Sequence, residues 1–257
     1  MKILVLGHRG MAGHIVYDYL NDLPNLEVIN SDELLEYKFN AIKNFENIEY
    51  RLKANPIDYI INCIGLLRTK CNENPINAIK VNSLFPHQLV KIADEIGANV
   101  IHLSTDCYMD NDVYGRSKRA GEIDYPSHLT IRTSIIGPEL KRDGEGLFEW
   151  FMRQEGEING YTNVIWDGIT TLELAKFIYF YINSDQKPYG IKNLRSENKI
   201  SKYNLLELIR DTYGKSIQIN RFDALKDNKT EDNDFLEYSI PSYEKMIEEL
   251  YEYSIKS

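Results

Sequence analysis

The sequence predicts a doubly wound α/β protein: a parallel sheet with helices on both faces, followed by a smaller C-terminal part. Three observations predict it. Short apolar runs alternate with stretches of helical periodicity through the first half of the chain, the pattern of a parallel sheet covered on both sides. The first run ends in Gly7, Gly10 and Gly13, directly before the first helical stretch. Past about Gly137 the alternation gives way to helices separated by short strand candidates.

Taken in order, residues 3–6 are a continuous apolar strand and residues 11–20 an amphipathic helix with Ile15, Tyr19 and Leu20 on one side. A strand is expected at 27–29. A helix at 42–53 has Ile42, Phe45, Ile48 and Leu52 at helical spacing. Pro56 introduces a buried strand at 59–63. Residues 76–96 read as one helix with Val81, Leu84, Leu89, Val90 and Ile92 as apolar positions. A strand at 99–104, a helix at 114–122 and a strand at 129–133 complete the alternation. Beyond it, helices are expected at 145–154, 171–182, 203–213 and 243–253, with short strands at 163–166 and 216–219. The stretch 223–233 is rich in Asp, Asn and Lys and reads as a mobile loop. The chain thus divides into residues 1–138 and 139–257, with the helix near 171–184 packing back on the first unit.

The 257 residues suffice for a large core, and 43% hydrophobic with 27% charged residues is ordinary for a soluble globular protein. The first apolar run is too short for a secretory leader, and no stretch is long enough to span a bilayer. Cys63, Cys71 and Cys107 have no metal-ligand spacing and read as free thiols in a reducing cytosol, so no metal is expected. A net charge of −9 argues against nucleic acid as a partner. A single nucleotide needs only a few local cations and backbone N–H groups, so it stays open.

The glycine segment is a strand, a tight turn and a helix N-terminus in the order that cradles a pyrophosphate. The same glycines would also make a tight turn with no ligand. A second motif, Tyr114-Gly-Arg-Ser-Lys118, places a phenol and an ammonium one helical turn apart. An ammonium favours the phenolate and lowers the tyrosine pKa from about 10, and a phenol so tuned passes a proton to a carbonyl oxygen. The bland alternative is a pair that merely covers a helix surface. Thr105 ends the preceding strand, where open α/β sheets bind ligands, and its hydroxyl could bond the same oxygen.

Together, Gly7-His-Arg-Gly-Met-Ala-Gly13, Ser104-Thr-Asp-Cys107 and Tyr114-Gly-Arg-Ser-Lys-Arg-Ala-Gly-Glu122 resemble the extended short-chain dehydrogenase/reductases. Within them the chain looks most like the dTDP-4-dehydrorhamnose reductase group of nucleotide-sugar 4-keto reductases. Asn62-Cys-Ile-Gly65, Arg132-Thr-Ser-Ile-Ile-Gly137, Trp166-Asp-Gly-Ile-Thr-Thr171 and Ile200-Ser-Lys-Tyr203 follow in the expected order, so the resemblance covers nearly the whole chain.

The resemblance implies a Rossmann-type cofactor domain and a C-terminal substrate-binding part. It implies reduction of a nucleotide-linked 4-keto-6-deoxy sugar by NADPH in the cytoplasm, for surface polysaccharide precursors. Tyr114 would be the catalytic acid, Lys118 its pKa-tuner and a ligand of the nicotinamide ribose, and Thr105 the hydroxyl that orients the carbonyl. Gly7, Arg9, Gly10, Met11 and Gly13 would line the pyrophosphate. Cys63, Ile64 and Gly65 would lie under the adenosine and ribose, Ser134 and Ile135 near the nicotinamide, and Ser104 would be a further cofactor-binding residue. Tyr108 and Trp166 are substrate candidates, although Trp166 suits a core position equally. Arg68, Lys70, Lys141, Arg142 and Arg153 are candidate diphosphate cations or ordinary surface charges. Arg9 suits a 2′-phosphate and favours NADPH; Asp32, one step past the second strand, keeps NADH open.

One feature departs from the resemblance. Only nine positions separate Thr105 from Tyr114, where the resembling reductases have a markedly longer connection. Cover for the substrate would then come from residues 141–145, from 223–233 or from a second subunit, and a homodimer is open. An epimerase of the same fold and a non-catalytic cofactor-binding subunit remain as alternatives. A dehydratase does not fit, because Cys107 stands where an acidic partner of Asp106 is needed.

Overall fold

The computed structural model describes residues 1–43, 45–141, 144–228 and 230–256. Strands β1 (Lys2–Leu6), β2 (Glu27–Asn30), β3 (Tyr59–Asn62), β4 (Asn99–Leu103) and β5 (Leu129–Arg132) come from the first half. The rest of the chain adds β6 (Ile135–Ile136), β7 (Glu157–Trp166), β8 (Ile169–Thr170), β9 (Gly190–Asn193), β10 (Ile200–Ser201) and β11 (Gln218–Asn228). Six strands form a parallel sheet in the order β2-β1-β3-β4-β5-β9. This is the doubly wound, Rossmann-type sheet the alternation predicts.

The helices are α1 (Met11–Asn21), α2 (Ser31–Leu35), α3 (Phe45–Ala54), α4 (Arg68–Glu73), α5 (Pro75–Ala78), α6 (Phe85–Ile96), α7 (Val113–Ala120), α8 (Leu147–Arg153), α9 (Thr171–Asn183), α10 (Lys202–Thr212) and α11 (Tyr243–Ser254). Side chains alternate across the sheet. Ile3 and Val5 of β1 enter the cluster shared with Ile15 and Val16 of α1 and Phe177 and Ile178 of α9. Leu4 and Leu6 enter the opposite cluster, with Ile48 and Leu52 of α3 and Leu89 and Ile92 of α6. Both faces are covered, so β1 reads as an unbroken apolar run. Each such side chain contributes roughly 1.5–3 kcal/mol. No helix among the described residues is long and apolar enough to cross a membrane.

Several elements differ from expectation. The helical path over 75–96 is widened by a π-helical stretch, Ile79–Leu84, between α5 and α6. That stretch buries Asn82, which holds the loop after β3: Leu66 N donates to its Oδ1 at 2.8 Å and its Nδ2 donates to Leu66 O at 3.0 Å. Such a bulge follows from the contact it serves, not from apolar spacing. The edge strand β9 has the sequence Gly-Ile-Lys-Asn, too polar to announce itself. The expected loop at 223–233 is a strand over its first half, because β11 runs on to Asn228 beside β7, with a register irregularity between Phe222 and Lys226. Its outer half is exposed, so it carries a loop-like composition. The helix expected from Ile42 starts at Phe45. The helix expected to reach Glu122 ends at Ala120, leaving Glu122 to pair with Arg132.

Candidate functional site

The strand order reverses between β1 and β3, and a doubly wound sheet binds ligands beyond the strand ends at that point. The glycine turn lies there. Gly7 has φ +84°, a left-handed conformation that disfavours a side chain, and a Cβ on it would sit 2.9 Å from the carbonyl carbon of Cys63 at the end of β3. A Cβ on Gly13 would lie 2.1 Å from Gly7 O, so the helix can approach the strand this closely only with glycine. Gly10 caps α1 without a side-chain hydrogen bond, and the first turn holds no acidic residue. The free N–H groups and the positive end of the helix dipole suit a phosphate.

A cavity of about 520 Å³ opens over this point, within the usual range of roughly 300–1,000 Å³ for small-molecule sites. It is lined by Arg9, Gly10 and Met11, by Cys63, Ile64 and Gly65, by Ser104 and Thr105, by Tyr114 and Lys118, and by Ser134 and Ile135. Five separate segments between residues 9 and 135 are thus brought to one place. Gly7 and Gly13 shape the turn from behind.

Thr105 lies two residues past the end of β4 and caps a 3₁₀ turn, Asp106–Met109, that leads to α7. Its Oγ1 accepts from Cys107 N at 3.1 Å and donates to Asp106 Oδ1 at 3.2 Å. Asp112 caps α7 by accepting from Gly115 N at 2.7 Å, which sets the helix rotation that turns Tyr114 and Lys118 inward. The Thr105 side chain lies beside the Tyr114 phenol. Burial pushes that phenol up to about 12, and Thr105 only partly opposes it. The lowering expected from Lys118 does not appear: burial raises the Tyr114 pKa instead. Lys118 is itself buried, donates to Leu103 O at 2.6 Å and is pulled down to about 8 by desolvation, with Glu122 opposing.

Arg9 forms an ion pair with Asp32, whose carboxylate also lies 3.5 Å from His8 Nε2. Arg68, Lys70 and Lys141 line the cavity. Arg68 pairs with Asp110 at 2.8 Å and with Asp112. Arg153 donates to Gly144 O at 2.7 Å instead, and Arg142 lies outside the described residues. Tyr108 and Trp166 do not line the cavity. Trp166 is buried, tilted against Tyr243, with Lys202 Nζ 4.8 Å from its ring centre. The Tyr108 ring lies against the Arg132 guanidinium.

The sequence reading missed Glu122, Arg132 and Glu139. Arg132 holds Glu122 in a two-pronged pair, 2.7 Å on each side, and Ser104 Oγ donates to Glu122 at 2.8 Å. Glu139 accepts from Gly146 N at 2.7 Å, and a Cβ on either Gly144 or Gly146 would press into its carboxylate. The closely spaced Gly144 and Gly146 were the available signal. Among the described residues no cluster of His, Cys, Asp or Glu could hold a metal ion.

A model of the family described as RmlD substrate binding domain matches residues 1–229. Comparison with the curated proteins finds no sequence match. Among solved structures, the chain is similar to a dTDP-4-dehydrorhamnose reductase from Bacillus anthracis str. Ames in complex with NADP (17% identity, 98% of this chain and 99% of that one, TM-score 0.82). It is similar to a dTDP-4-dehydrorhamnose reductase from Clostridium acetobutylicum (20% identity, 100% of both chains, TM-score 0.77). A UDP-glucose 4-epimerase with UDP-glucose from Thermotoga maritima has the same TM-score of 0.77 at 18% identity, over 100% of this chain and 99% of that one. At these identities the likeness shows a shared fold.

Proposed function

The chain belongs to the RmlD substrate binding domain family, and from that premise we infer that it is an NADPH-dependent reductase of a nucleotide-linked 4-keto-6-deoxy sugar. The observation that carries this reading is the single cavity that collects the glycine turn, Thr105, Tyr114 and Lys118.

A dinucleotide fits the residues present. The uncapped α1 N-terminus and the side-chain-free faces of Gly7 and Gly13 suit a pyrophosphate. Gly10, Met11 and Arg9 would hold it there, Cys63, Ile64 and Gly65 the adenosine side, and Ser104, Ser134 and Ile135 the nicotinamide end. The bound NADP of the similar Bacillus anthracis reductase supports the choice of cofactor. NADPH supplies the hydride that reduces the sugar carbonyl.

Within this reading, Tyr114 gives its proton to the carbonyl oxygen; a phenol pushed up to about 12 is protonated at neutral pH and available as an acid. Thr105 positions that oxygen. Its one proton goes to Asp106 in the free protein, so it must swing to the substrate when the sugar enters. Lys118 holds ribose hydroxyls and adds positive charge beside the phenol.

The test is incubation with NADPH and dTDP-, UDP- or GDP-linked 4-keto-6-deoxy sugars, followed by the loss of reduced-cofactor absorbance. Net NADPH oxidation with one of them supports the reductase. Interconversion of sugars without net oxidation would favour an epimerase. Tight NADPH binding with no turnover would favour a regulatory subunit.

A further inference from the structure

The Asp106–Met109 turn presents Asp106 and Cys107 to the cavity, and Tyr108 does not line it. Tyr108 is held twice. Its ring lies 3.6 Å from the Arg132 guanidinium, and its hydroxyl donates to Glu231 Oε1 at 2.5 Å. The Glu231 carboxylate pushes the phenol pKa up, so Tyr108 stays protonated and remains the donor.

Glu231 is held just as firmly. Its backbone N–H donates to Asp167 Oδ2 at 3.0 Å, and Arg195 Nη2 reaches its Oε2 at 3.4 Å. Arg195 is fully buried; its Nη1 donates to Asp167 Oδ1 at 3.1 Å and its backbone N–H to Asn233 Oδ1 at 3.2 Å. Asp234 ties the same segment to β9 by accepting from Asn193 N at 2.6 Å.

A buried guanidinium costs stability unless carboxylates neutralise it. Asp167 alone would balance its charge. The second carboxylate, Glu231, is the one that also reaches the turn beside Thr105. We propose that Arg195 and Glu231 are positioning residues: through the Tyr108 hydroxyl they clamp the Asp106–Met109 turn and fix Thr105 and Asp106 at the wall of the site. The short connection between Thr105 and Tyr114 is thereby braced by the C-terminal part of the same chain. The kinetic consequence rests on the reductase reading; the clamp itself does not.

Tyr108→Phe and Glu231→Ala break the link from opposite ends, and Tyr108→Phe leaves the buried ion pairs intact. Hydrogen exchange on the full chain reads the clamp directly. Amides of residues 106–110 are expected to exchange about tenfold faster in both variants, the scale of one lost charge-assisted hydrogen bond. With NADPH and the keto sugar, kcat should fall by about tenfold or more while the NADPH dissociation constant stays within about twofold. The double variant should be no slower than the slower single one, since both remove one link. Unchanged exchange at 106–110 in both variants would overturn the clamp. So would additive rate losses, or a fall in NADPH affinity equal to the fall in rate. If the unmodified protein reduces no keto sugar, the reductase reading fails and the exchange comparison still decides the clamp.

Discussion

The indole N–H of Trp166 donates to the hydroxyl of Ser134 at 2.8 Å. Trp166 is therefore a core residue that touches the site through Ser134, which lines the cavity. Trp166→Phe removes the donor and part of the ring. A stability loss of about 1–3 kcal/mol is expected in urea unfolding, with a modest loss of cofactor affinity and an unchanged KM for the sugar. A several-fold rise in KM at unchanged stability would mean that the indole meets the substrate.

Tyr114→Phe should lower turnover by about 10²-fold or more, the scale of a lost general acid. NADPH affinity, measured by fluorescence titration, should change little. Near-normal turnover on the true substrate would remove Tyr114 from the chemistry.

If Arg9 meets the 2′-phosphate, as proposed, its ion pair with Asp32 makes cofactor choice a competition. A 2′-phosphate must draw the guanidinium away from the carboxylate, whereas a ribose 2′-OH can bond Asp32. Arg9→Ala should weaken NADPH by roughly 10–100-fold, a charge-assisted contact of about 1.5–3 kcal/mol, and spare NADH. Asp32→Asn should do the reverse, tightening NADPH and weakening NADH. Parallel changes for both cofactors in either variant would point to a structural pair in the turn.

Lys118 ties stability to pH. Its folded pKa, pulled down to about 8, lies below the reference of about 10.4. Between those values the unfolded chain binds more protons, so the Lys118 contribution rises with pH across that window and is constant below it. Lys118→Met removes the cost of burying the charge. The stability advantage of that variant in urea unfolding should therefore be largest at pH 7 and shrink towards pH 10. An advantage that does not change with pH would show that burial does not lower the Lys118 pKa in the folded protein.

Much of the fold is legible in particular residues. The unbroken run from Ile3 to Leu6 reports a strand buried on both faces, and the spacing of Ile48 and Leu52 reports a helix packed on one of them. Gly7, Gly10 and Gly13 report a turn in which backbone must touch backbone. Such signals are local: they need only the side chain's own preference for apolar surroundings, or the absence of a Cβ. Where the signal is weak, expectation failed. β9 pairs through its backbone alone, and the outer half of β11 faces solvent, so neither had apolar periodicity to show.

What the sequence by itself determined is the order of strands and helices and the residue types gathered at the strand ends. Only the tertiary structure decided which of them share a cavity and what each one's neighbours do to it. Trp166 became a core residue beneath Ser134, Tyr108 turned to Glu231, and the Tyr114 phenol moved up rather than down. The physical reason is that burial and pairing are properties of the assembled environment. Desolvation of Lys118 and Tyr114, or the seating of Arg195 between Asp167 and Glu231, comes from segments far apart in the chain that meet only once the sheet has formed.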